Sequence, residues 1–212
     1  MQSSSEAHIL DITRSSKYET YLHRCLTGPL SKRYRKRLAF LDTAIPCGFH
    51  KKLLIYKSEI IGTIEYSPSE ISYYPIKGKD IVVMNCIWVL RKAKGHNFGR
   101  MLIKDMLERE KEASGFSTIG LTGHWSPWFR KEQMEHLGFK SLDSMSVVHM
   151  TKHRDRPFSI HLMWMPIAED AVPPSWDQGR LLEGITACIA HPLYHPQSYK
   201  PQCIFQETRG QI

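Results

Sequence analysis

The 212-residue chain predicts a mixed α/β layer fold, and three observations carry that expectation. Short runs rich in β-branched and aromatic residues alternate with stretches of helical period. A nearly all-apolar run, "IVVMNCIWVL" at 81–90, has the composition of a strand covered on both faces near the middle of a sheet. Directly after it the hydrophobic spacing becomes helical, as expected where a strand hands over to an amphipathic helix.

Taken in order, "HILDI" at 8–12 reads as a first strand, and two helices follow at about 17–26 and 31–43, separated by the breaker "TGPL". "KLLIYK" and "IIGTIEY" are β-rich runs joined by the polar link 57–59, which is hairpin spacing and implies antiparallel pairing. A Pro- and Tyr-containing loop at 67–80 leads to the central strand. From Gly99, Leu102, Ile103, Met106 and Leu107 line one stripe of a helix expected to end at Gly115. "FSTIGLT" is a further strand. "SPWFRKEQMEHLGF" is a further helix, with Ser126 as N-cap, Pro127 at its first position and Gly138 at its end. "SVVHM" and "SIHLMWM" supply two closing strands around "KHRDRP", giving the order βααβββαβαββ. The Pro-rich, acidic stretch 168–179 reads as a linker or wrap.

A hydrophobic content of 42% is enough for a genuine core. No stretch approaches the roughly 18 apolar residues of a membrane span, and "MQSSSEAHIL" lacks the blocks of a signal peptide, so a cytoplasmic protein is expected. Five cysteines with irregular spacing argue for reduced thiols. The formal charge of +8 admits anionic partners without choosing among them. The densest basic run, "SKRYRKRL" at 31–38, reads either as a nucleic-acid patch or as a solvated helix face.

"LRKAKGHNFGR" at 90–100 is cationic, glycine-punctuated and placed between strand and helix. A helix N-terminus offers unpaired N–H groups and partial positive charge, so such a loop suits a pyrophosphate, although an ordinary turn has the same look. The glycine spacing fits neither a dinucleotide fingerprint nor a P-loop. Asn97 stands where a glycine would ease a left-handed turn, and asparagine tolerates that conformation best after glycine.

"VLRKAKGHNFGRML" at 89–102 resembles the acetyl-CoA-binding segment of the GNAT superfamily of N-acetyltransferases, with Lys94 at the Arg/Gln place, Asn97 at the first glycine and Gly99 at the last. "EHLGF" at 135–139 resembles the closing segment of that family, and the element order is similar over residues 8–165. "IEYSP", "NCIWV" and "PPSW" are similar to a branch with a C-terminal YoaP-like extension. The resemblance implies a mixed, mostly antiparallel central sheet with helices on both faces and a splayed central strand pair. It implies acetyl-CoA as acyl donor, with Ile87, Trp88 and Val89 beside its pantetheine arm and the backbone of Lys94, Gly95, His96, Asn97, Phe98, Gly99 and Arg100 around its pyrophosphate. It also implies a domain at 1–167, followed at 168–212 by the linker and a short accessory segment.

The activity so implied is acetyl transfer to a primary amine of a small molecule or peptide, by direct attack. An alkyl ammonium of pKa near 10 is only about 0.1% neutral at pH 7, so a base helps. Glu65 on "GTIEY" is one candidate and a solvent-facing strand residue otherwise; His124 after "TIGLT" is a second and polar surface otherwise. Asn85 could orient substrate or satisfy backbone at the splay, and Cys86 reads as a small core residue. Trp125, Trp128 and Phe129 form either a substrate wall or core. Alignment on "LGF" places Met134 where the family carries a proton-donating tyrosine, leaving Tyr73, Tyr74, Ser126 or water for that task. Cys188, His191, His195 and Cys203 have zinc-compatible side chains but match no module spacing, and no metal is assigned. The rival to the enzyme is a binding module that docks nucleic acid or an acidic protein through the basic face at 32–37.

Overall fold

The computed structural model describes residues 7–24, 35–149, 156–183, 185, 189–190, 192–194 and 205–207. The expected order of elements is present. Strand β1 (His8–Asp11) leads through a short 3-10 turn to α1 (Glu19–Leu22) and then α2 (Arg35–Ala44). Strands β2 (His50–Tyr56) and β3 (Glu59–Pro68) form the anticipated hairpin. Its turn has positive φ at both Lys57 (49°) and Ser58 (63°), matching the twist that two-residue hairpin links require. After β4 (Ile76–Lys77) come β5 (Ile81–Val89), α3 (Phe98–Arg109), β6 (Gly115–Thr122), α4 (Lys131–His136), β7 (Lys140–His149) and β8 (Phe158–Pro166). Strand β9 (Ser175–Trp176), α5 (Gln178–Leu182) and β10 (Phe205–Glu207) complete the chain.

Among the described residues eight strands join in one sheet, in the order β1-β2-β3-β5-β6-β8-β7-β10, and a small second sheet pairs β4 with β9. Every pair in the large sheet is antiparallel except β5 with β6. Alternation along β2 shows how the two faces are covered. Leu53 packs with Leu22, Leu41, Ala44 and Phe49 on the side of α1 and α2, whereas its neighbour Leu54 joins the cluster holding Phe98, Leu102, Ile103 and Met106 of α3. Each such buried side chain contributes about 1.5–3 kcal/mol, so α3 is held by its apolar stripe far more than by propensity. The Lys52 ammonium, 2.5 Å from Asp105, adds a polar tie between β2 and α3.

Three helix boundaries differ from expectation. Helix α1 is shorter than the stretch 17–26, its last described turn closing at Leu22. Helix α3 stops at Arg109 rather than Gly115, which opens β6 instead by pairing with Ile81 and Pro166; it is glycine there because the Trp164 ring lies 2.2 Å from where a side chain would begin. Helix α4 begins at Lys131 and not behind Ser126: Phe129 takes a left-handed φ of 53° and its carbonyl accepts from the Leu121 amide, so long-range pairing overrides the local N-cap pattern. Gly138 does end α4, at φ 108°.

Candidate active site

Strands β5 and β6 pair over only three residues each, Ile81↔Gly115, Val82↔Phe116 and Val83↔Ser117, and then part. The Thr118 hydroxyl donates to the Met84 carbonyl at 2.7 Å, the last rung between them. On its other side β5 stays paired with β3, except at a bulge where Glu65 faces Cys86 and Tyr66 faces Met84, leaving Asn85 as the extra residue. The opening so created is a cleft of about 530 Å³, walled on one side by Ile87, Trp88 and Val89 and on the other by the chain from Pro127 to Leu137. Trp88 and Trp128 meet across it, ring centroids 5.6 Å apart.

At the mouth of the cleft lies the cationic loop. Asn97 adopts the left-handed conformation (φ 57°, ψ 22°) immediately before α3, the role expected of it, and its side chain caps no amide of the helix. Gly95 has φ 88°, a conformation strained for any other residue, and no atom lies within 4 Å of the position its side chain would start from. Among the described residues, the amides of residues 95–100 donate to no carbonyl and no side chain of the protein. They are open donors at the positive end of a twelve-residue helix, with Lys94, Arg91 and Arg130 on the cleft wall. Of the residues assigned to acetyl-CoA, Ile87, Trp88, Val89, Lys94, Gly95, Asn97, Phe98 and Gly99 line the cleft. His96 and Arg100 do not; His96 lies exposed, stacked on Phe98 at 5.1 Å. Sequence reasoning missed Arg91, Arg130 and Gln133, which line the same cleft. The arginines were visible as charges, but nothing local tied Arg130 to a loop more than thirty positions earlier.

The three candidate catalytic residues sit elsewhere. Glu65 is buried, so it is not the solvent-facing residue that was the alternative. Its carboxylate accepts two hydrogen bonds from the Arg37 guanidinium, both 3.0 Å, and its Oε1 lies 2.7 Å from the Lys51 ammonium. Arg37 also donates to the Leu22 carbonyl and Lys51 to that of Arg24. Burial lowers the Lys51 pKa, against the attraction of Glu65 and with the help of the Arg37 charge. Arg37 therefore does not belong to a solvated basic face; residues 31–34 of that run lie outside the described residues. Asn85 is fully buried, its carbonyl oxygen accepting from Ser72 Oγ at 2.8 Å and its amide donating to Ser67 Oγ at 3.0 Å. His124 is 9% exposed rather than surface; its Nδ1 accepts the Ser126 amide at 3.1 Å, and its ring stacks on Trp125 at 4.0 Å. None of the three lines the cleft.

Met134 does line it, with no proton to offer. The Tyr73 hydroxyl donates to the Asn85 carbonyl and that of Tyr74 to the Ala190 carbonyl, so both phenols are engaged with backbone. Trp128 and Phe129 line the cleft, whereas Trp125 packs outside it against Phe158 and His149. Cys188, His191, His195 and Cys203 lie outside the described residues.

No family model and no curated protein matches the sequence. Solved structures do match in shape. A Desulfovibrio desulfuricans protein described as a GNAT-family acetyltransferase superposes with TM-score 0.53 at 13% identity, over 77% of this chain and 100% of its own. The ribosomal-protein-S18-alanine N-acetyltransferase of Escherichia coli gives 0.52 at 11%, over 79% and 99%. Arabidopsis thaliana NAA60, crystallised with acetyl-CoA, gives 0.51 at 15%, over 76% and 100%. A match to a Bacillus anthracis protein described as a streptothricin acetyltransferase spans 64% of that chain. With the parted β5/β6 pair and the open amides before α3, these likenesses establish that the chain has the fold of the GNAT acetyltransferases.

Proposed function

We propose that the protein is an acetyl-CoA-dependent N-acetyltransferase acting on a primary amine of a small molecule or peptide. The observation that carries this reading is the row of open amides at 95–100 beside a cleft bounded by a strand edge. Backbone donors fixed at a helix N-terminus suit a pyrophosphate, and the unpaired edge of β5 suits an extended, amide-bearing arm. Acetyl-CoA would supply the activated acyl group. Gly95 lets the backbone come close, Lys94 and Arg91 add positive charge, and Trp88, Trp128, Met134 and Leu137 give the cleft an apolar wall.

Glu65, Asn85 and His124 enter this reading as positioning residues. Glu65 ties α2 to β2 and β3, Asn85 fixes the bulge that precedes the cleft wall, and His124 holds the start of the β6–α4 link through the Ser126 amide. Glu65 does not line the cleft and its carboxylate is engaged by two cations, so proton removal from the amine falls to water or to the acceptor's own surroundings. The binding-module reading is weakened because Arg37, one of its cations, is buried against Glu65. Among the described residues no helix is long and apolar enough to cross a membrane.

The test is thermal melting with and without acetyl-CoA. At about 100 times its dissociation constant the ligand adds roughly 2.7 kcal/mol, which for a domain of this size raises Tm by about 5–10 °C. Gly99→Glu, placing bulk and negative charge among the amides, abolishes the shift. An unchanged acetyl-CoA affinity in that variant contradicts the assignment of the anion site.

A further inference from the structure

Two tryptophans reach toward each other from opposite walls of the cleft. Trp88 is carried by β5, whose pairing with Thr63 of β3 holds its backbone in register. Trp128 is carried by the turn between β6 and α4, outside any helix or strand. The ring centroids are 5.6 Å apart with the planes tilted by 58°, and rings in contact at that separation leave no layer of space between them. In the empty protein the pair therefore lies across the part of the cleft walled by Ile87, Trp88 and Val89.

Hydrogen bonding around this contact is incomplete. The Trp88 indole N–H is shielded from solvent and donates to no acceptor among the described residues, although its ring lines the cleft. In the turn that carries Trp128, the Ser126 hydroxyl is likewise buried with no partner among the described residues, and the backbone of Phe129 is left-handed, at φ 53°. A buried donor that has given up water and found nothing in exchange favours any state that supplies an acceptor. Because β5 is fixed in the sheet on its β3 side, movement falls to Trp128.

Resting on the acetyl-CoA reading, we propose that the Trp88–Trp128 contact is a latch, closed in the empty protein and opened by the arm of the coenzyme, and that Trp88 then donates its indole N–H to an amide carbonyl of that arm. The chemistry of the guest suits the donor. The arm carries amide carbonyls and the nucleotide diphosphate carries none. Trp88 is thus a binding residue for the arm, distinct from the open amides at 95–100 that suit the diphosphate.

The experiment uses the full chain and compares acetyl-CoA with ADP, which has the diphosphate without the arm. Affinities come from titration calorimetry, and tryptophan emission is followed at saturation with each ligand. Acetyl-CoA changes the emission and ADP leaves it as in the empty protein. Trp88→Phe keeps an aromatic wall but loses the donor. It weakens acetyl-CoA binding about five-fold, the worth of one hydrogen bond, and leaves ADP binding unchanged, a split that a general loss of packing does not give. Trp128→Phe diminishes the emission change, whereas Trp125→Phe, at a ring that packs outside the cleft, preserves it. Should Trp88→Phe not fold, the emission comparison decides alone. An equal emission change with ADP, an acetyl-CoA affinity untouched by Trp88→Phe, or an equal loss of both affinities overturns the latch while the coenzyme reading stands. Absence of acetyl-CoA binding to the unaltered protein sinks both.

Discussion

Glu65 shows what a single side chain owes to partners far along the chain. Its carboxylate is held by Arg37 from α2 and Lys51 from the neighbouring strand, all three buried. Removing one member of a buried ionic group leaves the others uncompensated, at a cost of about 3–5 kcal/mol. Glu65→Gln is therefore expected to lower the unfolding free energy by that amount, read as a fall in the urea midpoint, while acetyl-CoA binding at low denaturant persists. A general base would behave in the opposite way, losing the chemical rate with stability intact. The sequence displayed a carboxylate on a strand and nothing more. Lys51 becomes its neighbour only through the hairpin register Lys51↔Glu65, and Arg37 only through the docking of α2.

At the scale of elements, local chemistry was a good guide wherever local forces decide. The switch of period after "IVVMNCIWVL" located both β5 and α3, and the tolerance of asparagine for positive φ located the turn between them. Asn97→Gly is expected to leave acetyl-CoA binding and stability nearly unchanged. Asn97→Val forces a β-branched residue into the left-handed region at a cost of roughly 1–2 kcal/mol and weakens binding, both readable by calorimetry. The start of α4 was illegible for the converse reason. Ser126 and Pro127 are good helix-opening residues, but the pairing of Leu121 with the segment at 129–130 holds that stretch as a turn. Propensity yields to a hydrogen bond whose partner lies several residues back on another element.

For the whole molecule, the order of elements was readable but the order of strands in the sheet was not. Hairpin spacing set β2 beside β3, whereas the insertion of β8 between β6 and β7 depends on packing that no local window contains. Beyond the stretch read as a linker at 168–179, Leu181, Ile189 and Ala190 are core residues. Leu181→Ala is accordingly expected to destabilise the protein by about 2–5 kcal/mol, as truncation in any core does, with one cooperative urea transition rather than two. A separate early transition would show the segment to be an appendage.

The parting of β5 from β6 has a consequence for the protein when its cleft is empty. Sheets normally expose their raw margins only at the outside, where charges and short lengths discourage unwanted annealing. Here a margin runs through the middle, from Ile87 to Val89, flanked by apolar rings. A guest lying along it heals the sheet, and an empty molecule presents a seam onto which a stray extended peptide could anneal. Keeping the seam occupied is then a matter of solubility as much as of binding.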